Sequence, residues 1–130
     1  MAGELILIVE DNEKNRKLVR DVLQFKGYRT SEAETAELGL ALARESRPAL
    51  ILMDIQLPGM SGIDALGHLR ADPATRDIPV MAVTASAMTQ DRQKILAAGF
   101  DAYESKPIDV KAFLVHVAEM LAAGPRRGAQ

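Results

Sequence analysis

The sequence predicts an α/β protein: an open, doubly wound parallel sheet of five strands in the order 2-1-3-4-5, with five helices on its two faces. Three observations carry that reading. Apolar runs recur at Leu5–Val9, Leu50–Met53 and Val80–Val83, with a shorter one at Ala102–Ser105. They are continuous rather than alternating, as strands buried on both faces are. Helix-periodic stretches separate them, so each strand returns through a right-handed crossover that leaves helices on both sides of the sheet. Finally, the runs end on charged or hydroxyl residues: Glu10-Asp11, Asp54, Thr84 and Lys106. Open parallel sheets bind ligands at the carboxyl ends of their strands, beside the point where the strand order reverses, here between the first and third strands.

After the first strand, Asn12 is the expected N-cap of a helix with the apolar stripe Leu18, Val19, Val22 and Leu23, and Gly27 ends it. The second strand is expected from Tyr28 to Glu32. Ala36, Leu40 and Ala43 form one face of the next helix, which Pro48 stops. Beyond the third strand, Pro58-Gly59-Met60-Ser61-Gly62 is turn chemistry. Ile63, Leu66 and Leu69 follow at helical spacing as far as Asp72-Pro73, and Pro79 opens the fourth strand. A fourth helix is expected from Thr89 to Ala98, with Ile95 and Leu96 facing inward and Gly99 as its stop. Asp109 caps the last helix, where Val110, Phe113, Leu114, Val117 and Leu121 make the cleanest amphipathic stripe of the chain. Residues 1–123 read as one domain. The tail 124–130 has no apolar periodicity and is expected to be mobile. Among doubly wound sheets this strand order is the flavodoxin-like one.

Composition narrows the function. A chain of 130 residues suffices for one domain with a real core. A net charge of -2 with no basic stripe argues against nucleic acid. The first apolar run stops at two acids after Val9, which excludes a signal peptide and a membrane span there. Without cysteine there are no disulfides or thiolate metal sites, and a cytoplasmic location is expected. His68 and His116 fall on helices away from the strand ends and read as surface or partly packed side chains. Met53, Met60, Met81 and Met88 read as core and turn filling, Met88 lying on the loop that leads into the fourth helix.

The strand ends would gather three carboxylates, a hydroxyl and an ammonium. Such carboxylates cannot all stay ionised unless a positive charge joins them. Oxygen ligands select a hard cation, and few protein ligands beside a phosphate favour magnesium over calcium. With Lys106 as a point charge, the group suits a phosphoryl ligand, and Asp54 is the candidate nucleophile that could carry it as an acyl phosphate.

Ile8-Val9-Glu10-Asp11-Asn12, Met53-Asp54-Ile55-Gln56-Leu57-Pro58-Gly59-Met60-Ser61-Gly62, Val83-Thr84-Ala85 and Ser105-Lys106-Pro107 together resemble the response-regulator receiver domain of two-component signalling, from about Glu4 to Leu121. The resemblance is greatest to stand-alone receivers of the DivK type. It implies that Glu10, Asp11, Asp54 and the carbonyl of Gln56 hold Mg2+, that Asp54 accepts the phosphoryl group, and that Lys106 and Thr84 bind its oxygens. It further implies a cis Lys106-Pro107 peptide and a switch in which Tyr103 turns inward when Thr84 moves. Gln56 and Ser86 occupy positions that tune hydrolysis of the acyl phosphate, and neither is an acid, so slow self-dephosphorylation is expected. The implied partners are a sensor histidine kinase or histidine phosphotransfer protein and a downstream protein. The latter would dock on the face of the fourth helix, fifth strand and fifth helix, from about Met88 to Leu114. The protein would be a monomer that phosphorylation could pair, and not an enzyme beyond assisting its own phosphorylation and dephosphorylation.

Other readings fit less well. A haloacid-dehalogenase-like phosphohydrolase needs an acid two residues after its aspartate, where this chain has Gln56. A flavodoxin-like cofactor binder needs a hydroxyl- and glycine-rich loop after the first strand, where Glu10-Asp11-Asn12-Glu13 would repel phosphate. A receiver cut from a hybrid kinase, or a degenerate receiver acting as a constitutive binding module, would share the motifs. The starting methionine and short polar tail favour a free-standing chain.

Overall fold

The computed structural model describes residues 3–85 and 89–125. Strands β1 (Leu5–Val9), β2 (Arg29–Ala33), β3 (Leu50–Asp54), β4 (Val80–Thr84) and β5 (Ala102–Ser105) alternate with helices α1 (Glu13–Phe25), α2 (Ala36–Ser46), α3 (Gly62–Ala71), α4 (Thr89–Ala98) and α5 (Val110–Ala123). The strands form one parallel sheet in the order β2-β1-β3-β4-β5, as the sequence predicts. Val9 pairs with Met53 and Asp54 with Val83, so the carboxyl ends of β1, β3 and β4 lie level. Ser86, Met88 and tail residues 126–130 lie outside the described residues.

Period-two alternation divides the core. Leu7, Val9, Ile51, Met53, Val80 and Ala82 face the side covered by α2, α3 and α4. Ile6, Ile8, Leu50, Leu52, Met81 and Val83 face the side covered by α1 and α5. Burying each large aliphatic side chain contributes about 1.5–3 kcal/mol, so both faces hold the sheet rigid beneath its strand ends. Local caps fix where helices begin. Asn12 accepts from the Asn15 amide, Thr35 from Leu38, Ser61 from Asp64 and Asp109 from Ala112, each satisfying an amide that the first turn leaves unpaired.

The second strand lies one residue later than expected, over Arg29–Ala33, because Tyr28 bonds back to the Leu23 carbonyl at the end of α1. Several apolar residues expected to face inward do not. Leu18, Ile63, Leu96 and Val110 are all at least 40% exposed, while Gly39, Ala65 and Met120 take up interior positions. The small residues let α2 and α3 approach the sheet closely, and the flexible Met120 extends the buried stripe of α5 beyond Val117.

Candidate functional site

Strand alternation decides which side chains meet. Glu10 and Asp54 continue the rows of Ile8 and Leu52, which pair across β1 and β3, and so reach the α1–α5 side of the sheet. Lys106 follows β5, and its amide donates to the Thr84 carbonyl at 2.7 Å. Its ammonium bridges the two acids, 2.8 Å from Glu10 Oε1 and 3.2 Å from Asp54 Oδ2. Glu10 and Asp54 are buried, at 5% and 3% exposure, whereas Asp11 is exposed. Carboxylate oxygens of Glu10, Asp11 and Asp54 nevertheless lie within 4.8 Å of one another. The Lys106–Pro107 peptide is cis.

Backbone amides hold the two buried acids. Asn12 N donates to Glu10 Oε2 at 3.1 Å and Gln56 N to Asp54 Oδ1 at 2.9 Å. Behind them lies a cavity of about 90 Å3, lined largely by apolar side chains such as Ile8, Val19, Leu52, Val83 and Ile108. Burial against this wall governs the charges. Burial pushes the Glu10 carboxyl above its ordinary value, against the opposing pull of Lys106, and the neighbouring Asp54 adds to the rise. Burial pulls Lys106 down, but its contacts with Glu10 and Asp54 outweigh that and raise it overall.

Two residues complete the frame: Arg16, which sequence reasoning missed, and Gly62, which it read only as turn chemistry. Arg16 of α1 donates to the Glu10 carbonyl at 2.9 Å and to Glu32 of β2 at 3.1 Å, which pins the turn after β1. With Glu34 as a further partner at 3.5 Å, its contacts reach up to eighteen residues away, so no local spacing marks it. Gly62 opens α3 directly against the end of β3: a Cβ there would sit 2.5 Å from the Asp54 carbonyl oxygen and 2.9 Å from Ile55 Cα. The glycine of the Ser61-Gly62 pair is therefore a close-approach residue rather than only a turn former.

Thr84 and Tyr103 occupy the opposite, α3–α4 side. Ala82 and Tyr103 are register partners packed on that side, and Thr84 stands two residues beyond Ala82 on β4. Thr84 is buried and Tyr103 half-buried. Gln56 is exposed on the loop after β3, bonded to Asp54 through its amide. His116 contacts Glu104 at 2.7 Å between α5 and β5, and His68 is exposed on α3.

The cluster fits a divalent cation. Its donors are all carboxylate oxygens, the ligands of hard ions. Three carboxylates with one ammonium leave two formal negative charges for such an ion to offset.

Fold and site together define a doubly wound α/β domain that gathers acids and a lysine at the strand-order reversal. Residues 6–118 match the response regulator receiver domain, and the chain belongs to that family. It is similar to the polar-differentiation response regulator DivK of Brucella anthropi, at 50% identity over 109 residues, covering 84% of this chain and 89% of the relative. The same-named protein of Brucella ovis matches at the same identity and coverage. Among solved structures it is similar to the receiver domain of a sensor histidine kinase from Pseudomonas aeruginosa PAO1, which has a magnesium ion coordinated in its active site cleft. That match has a TM-score of 0.86 and 32% identity and covers 93% of this chain and 99% of that one. A CheY-like receiver domain protein from Methanospirillum hungatei JF-1 gives a TM-score of 0.85 at 31% identity, covering 94% and 96%. Among the described residues no helix is long and apolar enough to cross a membrane.

Proposed function

We propose that the protein is a phosphorylation-switched response regulator that takes a phosphoryl group onto Asp54 from a phosphohistidine on a sensor kinase or phosphotransfer protein. The observation that carries this reading is the Asp54 carboxylate itself: buried, held by the Gln56 amide and the Lys106 ammonium, and adjacent to the carboxylates of Glu10 and Asp11. An Asp54 oxygen attacks phosphorus, the P–N bond to the donor imidazole breaks, and the imidazole leaves with that electron pair. Lys106 neutralises a phosphoryl oxygen and the Thr84 hydroxyl donates to another, so the chain's contribution is positioning and charge. Glu10, Asp11, Asp54 and the Gln56 carbonyl would hold Mg2+, which when bound supplies the positive charge that lets an anionic phosphate approach the acids.

The output is a change of shape read by another protein in the cytoplasm. Thr84 and Tyr103 share one side of the sheet, so withdrawal of the threonine toward Asp54 frees space for the ring, a local charge event biasing a two-state element. The face of α4, β5 and α5 then presents a changed surface to the downstream partner. With Gln56 beside the phosphoryl site rather than an acid, self-dephosphorylation is slow, and the resting protein is monomeric. Amide NMR with beryllium trifluoride and Mg2+ tests both halves of the reading. Shifts are expected around Asp54 and across α4, β5 and α5, all absent from Asp54→Asn. Shifts confined to the acid cluster would rule out the output surface.

A further inference from the structure

Tyr103 is gripped from outside the sheet. Arg92, near the start of α4, donates from Nε to the Tyr103 hydroxyl, and its guanidinium lies 4.9 Å from the ring centroid. One exposed side chain thus engages both the polar tip and the π-face of a half-buried ring. A planar guanidinium can do this because it stacks and donates in one geometry, which an ammonium cannot reproduce. The inward movement that the switch reading requires carries the ring from its present half-buried place on the α3–α4 side toward Thr84. It thereby displaces both the hydroxyl and the ring face that Arg92 now holds. A ring that takes that path must leave Arg92, losing both contacts together.

We propose that Arg92 is the latch that holds Tyr103 in its resting position, a positioning residue that sets how readily phosphorylation turns the switch. The proposal rests on the reading of Thr84 and Tyr103 as the switch pair. Contacts made in only one of two states bias the equilibrium by their whole strength. A cation–π contact at an exposed site corresponds to about a two- to fivefold bias. The latch also ties α4 to β5, so releasing the ring releases the helix that bears the arginine. The output face would then respond through α4 itself as well as through the moving ring.

The test measures the apparent affinity for beryllium trifluoride at saturating Mg2+ in the full chain, Arg92→Ala, Arg92→Lys and each combined with Tyr103→Ala. Arg92→Ala is expected to bind the mimic about two- to fivefold more tightly. Arg92→Lys, which keeps the charge but loses the fork, is expected to fall between. Both effects should vanish in the Tyr103→Ala background, which a merely structural role of Arg92 would not produce. The chain has two tyrosines and no tryptophan, so in a Tyr28→Phe background emission reports Tyr103 alone. There Arg92→Ala is expected to move resting emission toward that of the mimic-bound protein. An Arg92→Ala affinity equal to or weaker than that of the parent, or a gain that survives Tyr103→Ala, would overturn the latch while leaving the phosphoacceptor reading intact. Failure of the parent chain to bind the mimic would instead overturn that reading, and the latch with it.

Discussion

Adding one methyl group at the start of α3 should unsettle the site from beneath. In Gly62→Ala the new Cβ meets the Asp54 carbonyl oxygen at 2.5 Å and Ile55 Cα at 2.9 Å, and both belong to backbone that cannot rotate aside. Restoring an ordinary contact of 3.4 Å from 2.5 Å requires a shift of about 0.9 Å between α3 and the end of β3. Overpacking of this kind costs about 1–3 kcal/mol. At about 2.1 cal/mol/K per residue, the unfolding entropy of this chain makes each kcal/mol worth about 4 °C, so Tm should fall by about 4–11 °C. Gly67 supplies the control within the same helix, because a Cβ there meets nothing within 4 Å. Gly67→Ala should therefore gain about 0.5–1 kcal/mol of helix propensity and raise Tm by about 2–4 °C. Thermal unfolding followed by circular dichroism reads both, and phosphorylation of Gly62→Ala should slow because the Asp54 backbone moves. A Gly62→Ala variant as stable as its Gly67→Ala counterpart would refute the close approach of α3 to the phosphoacceptor strand.

Further expectations concern the charges that frame the acids. Arg16→Met removes donors from the Glu10 carbonyl and from Glu32, and its side chain is only 12% exposed. Chemical denaturation should show a loss of about 1.5–3 kcal/mol, as for hydrogen bonds to a charged group, whereas no change would mean that the clamp is dispensable. Glu10 gives a pH dependence. Its folded pKa lies above the ordinary 4.5, mainly through burial, so the folded state holds the proton more tightly than the unfolded chain. In EDTA its contribution is full below about pH 4.5 and is lost as pH rises through the folded pKa. Glu10→Gln should flatten that slope, and an unchanged slope would assign it to other groups.

The parts of this molecule legible in its sequence are those set by local pattern. Buried parallel strands must be apolar throughout, so β1, β3 and β4 announce themselves, and the residues that end them fall at the topological reversal. Asn12 and Asp109 are equally visible because a cap acts within three residues. Helix faces are less legible. Leu18, Ile63, Leu96 and Val110 satisfy an apolar spacing, yet each stands on the rim of its buried stripe, and the closest approaches are made by glycine and alanine. Contacts between distant residues leave no local trace. Arg16 reaches Glu10 and Glu32, and Arg92 reaches Tyr103, only after the sheet has brought α1 beside β2 and α4 beside β5. The burial that raises Glu10 likewise arises from the apolar wall behind it, contributed by β1, β3, β4, α1 and the loop after β5.

The central claim is that Asp54 is the phosphoacceptor of a magnesium-dependent receiver. The most direct measurement is intact-protein mass after incubation with Mg2+ and a small acyl-phosphate donor, for the parent chain and for Asp54→Asn. One added phosphoryl group is expected on the parent, lost with EDTA and absent from Asp54→Asn. An adduct that persists in Asp54→Asn or in EDTA would contradict the claim, as would an unmodified parent chain that also fails to bind beryllium trifluoride.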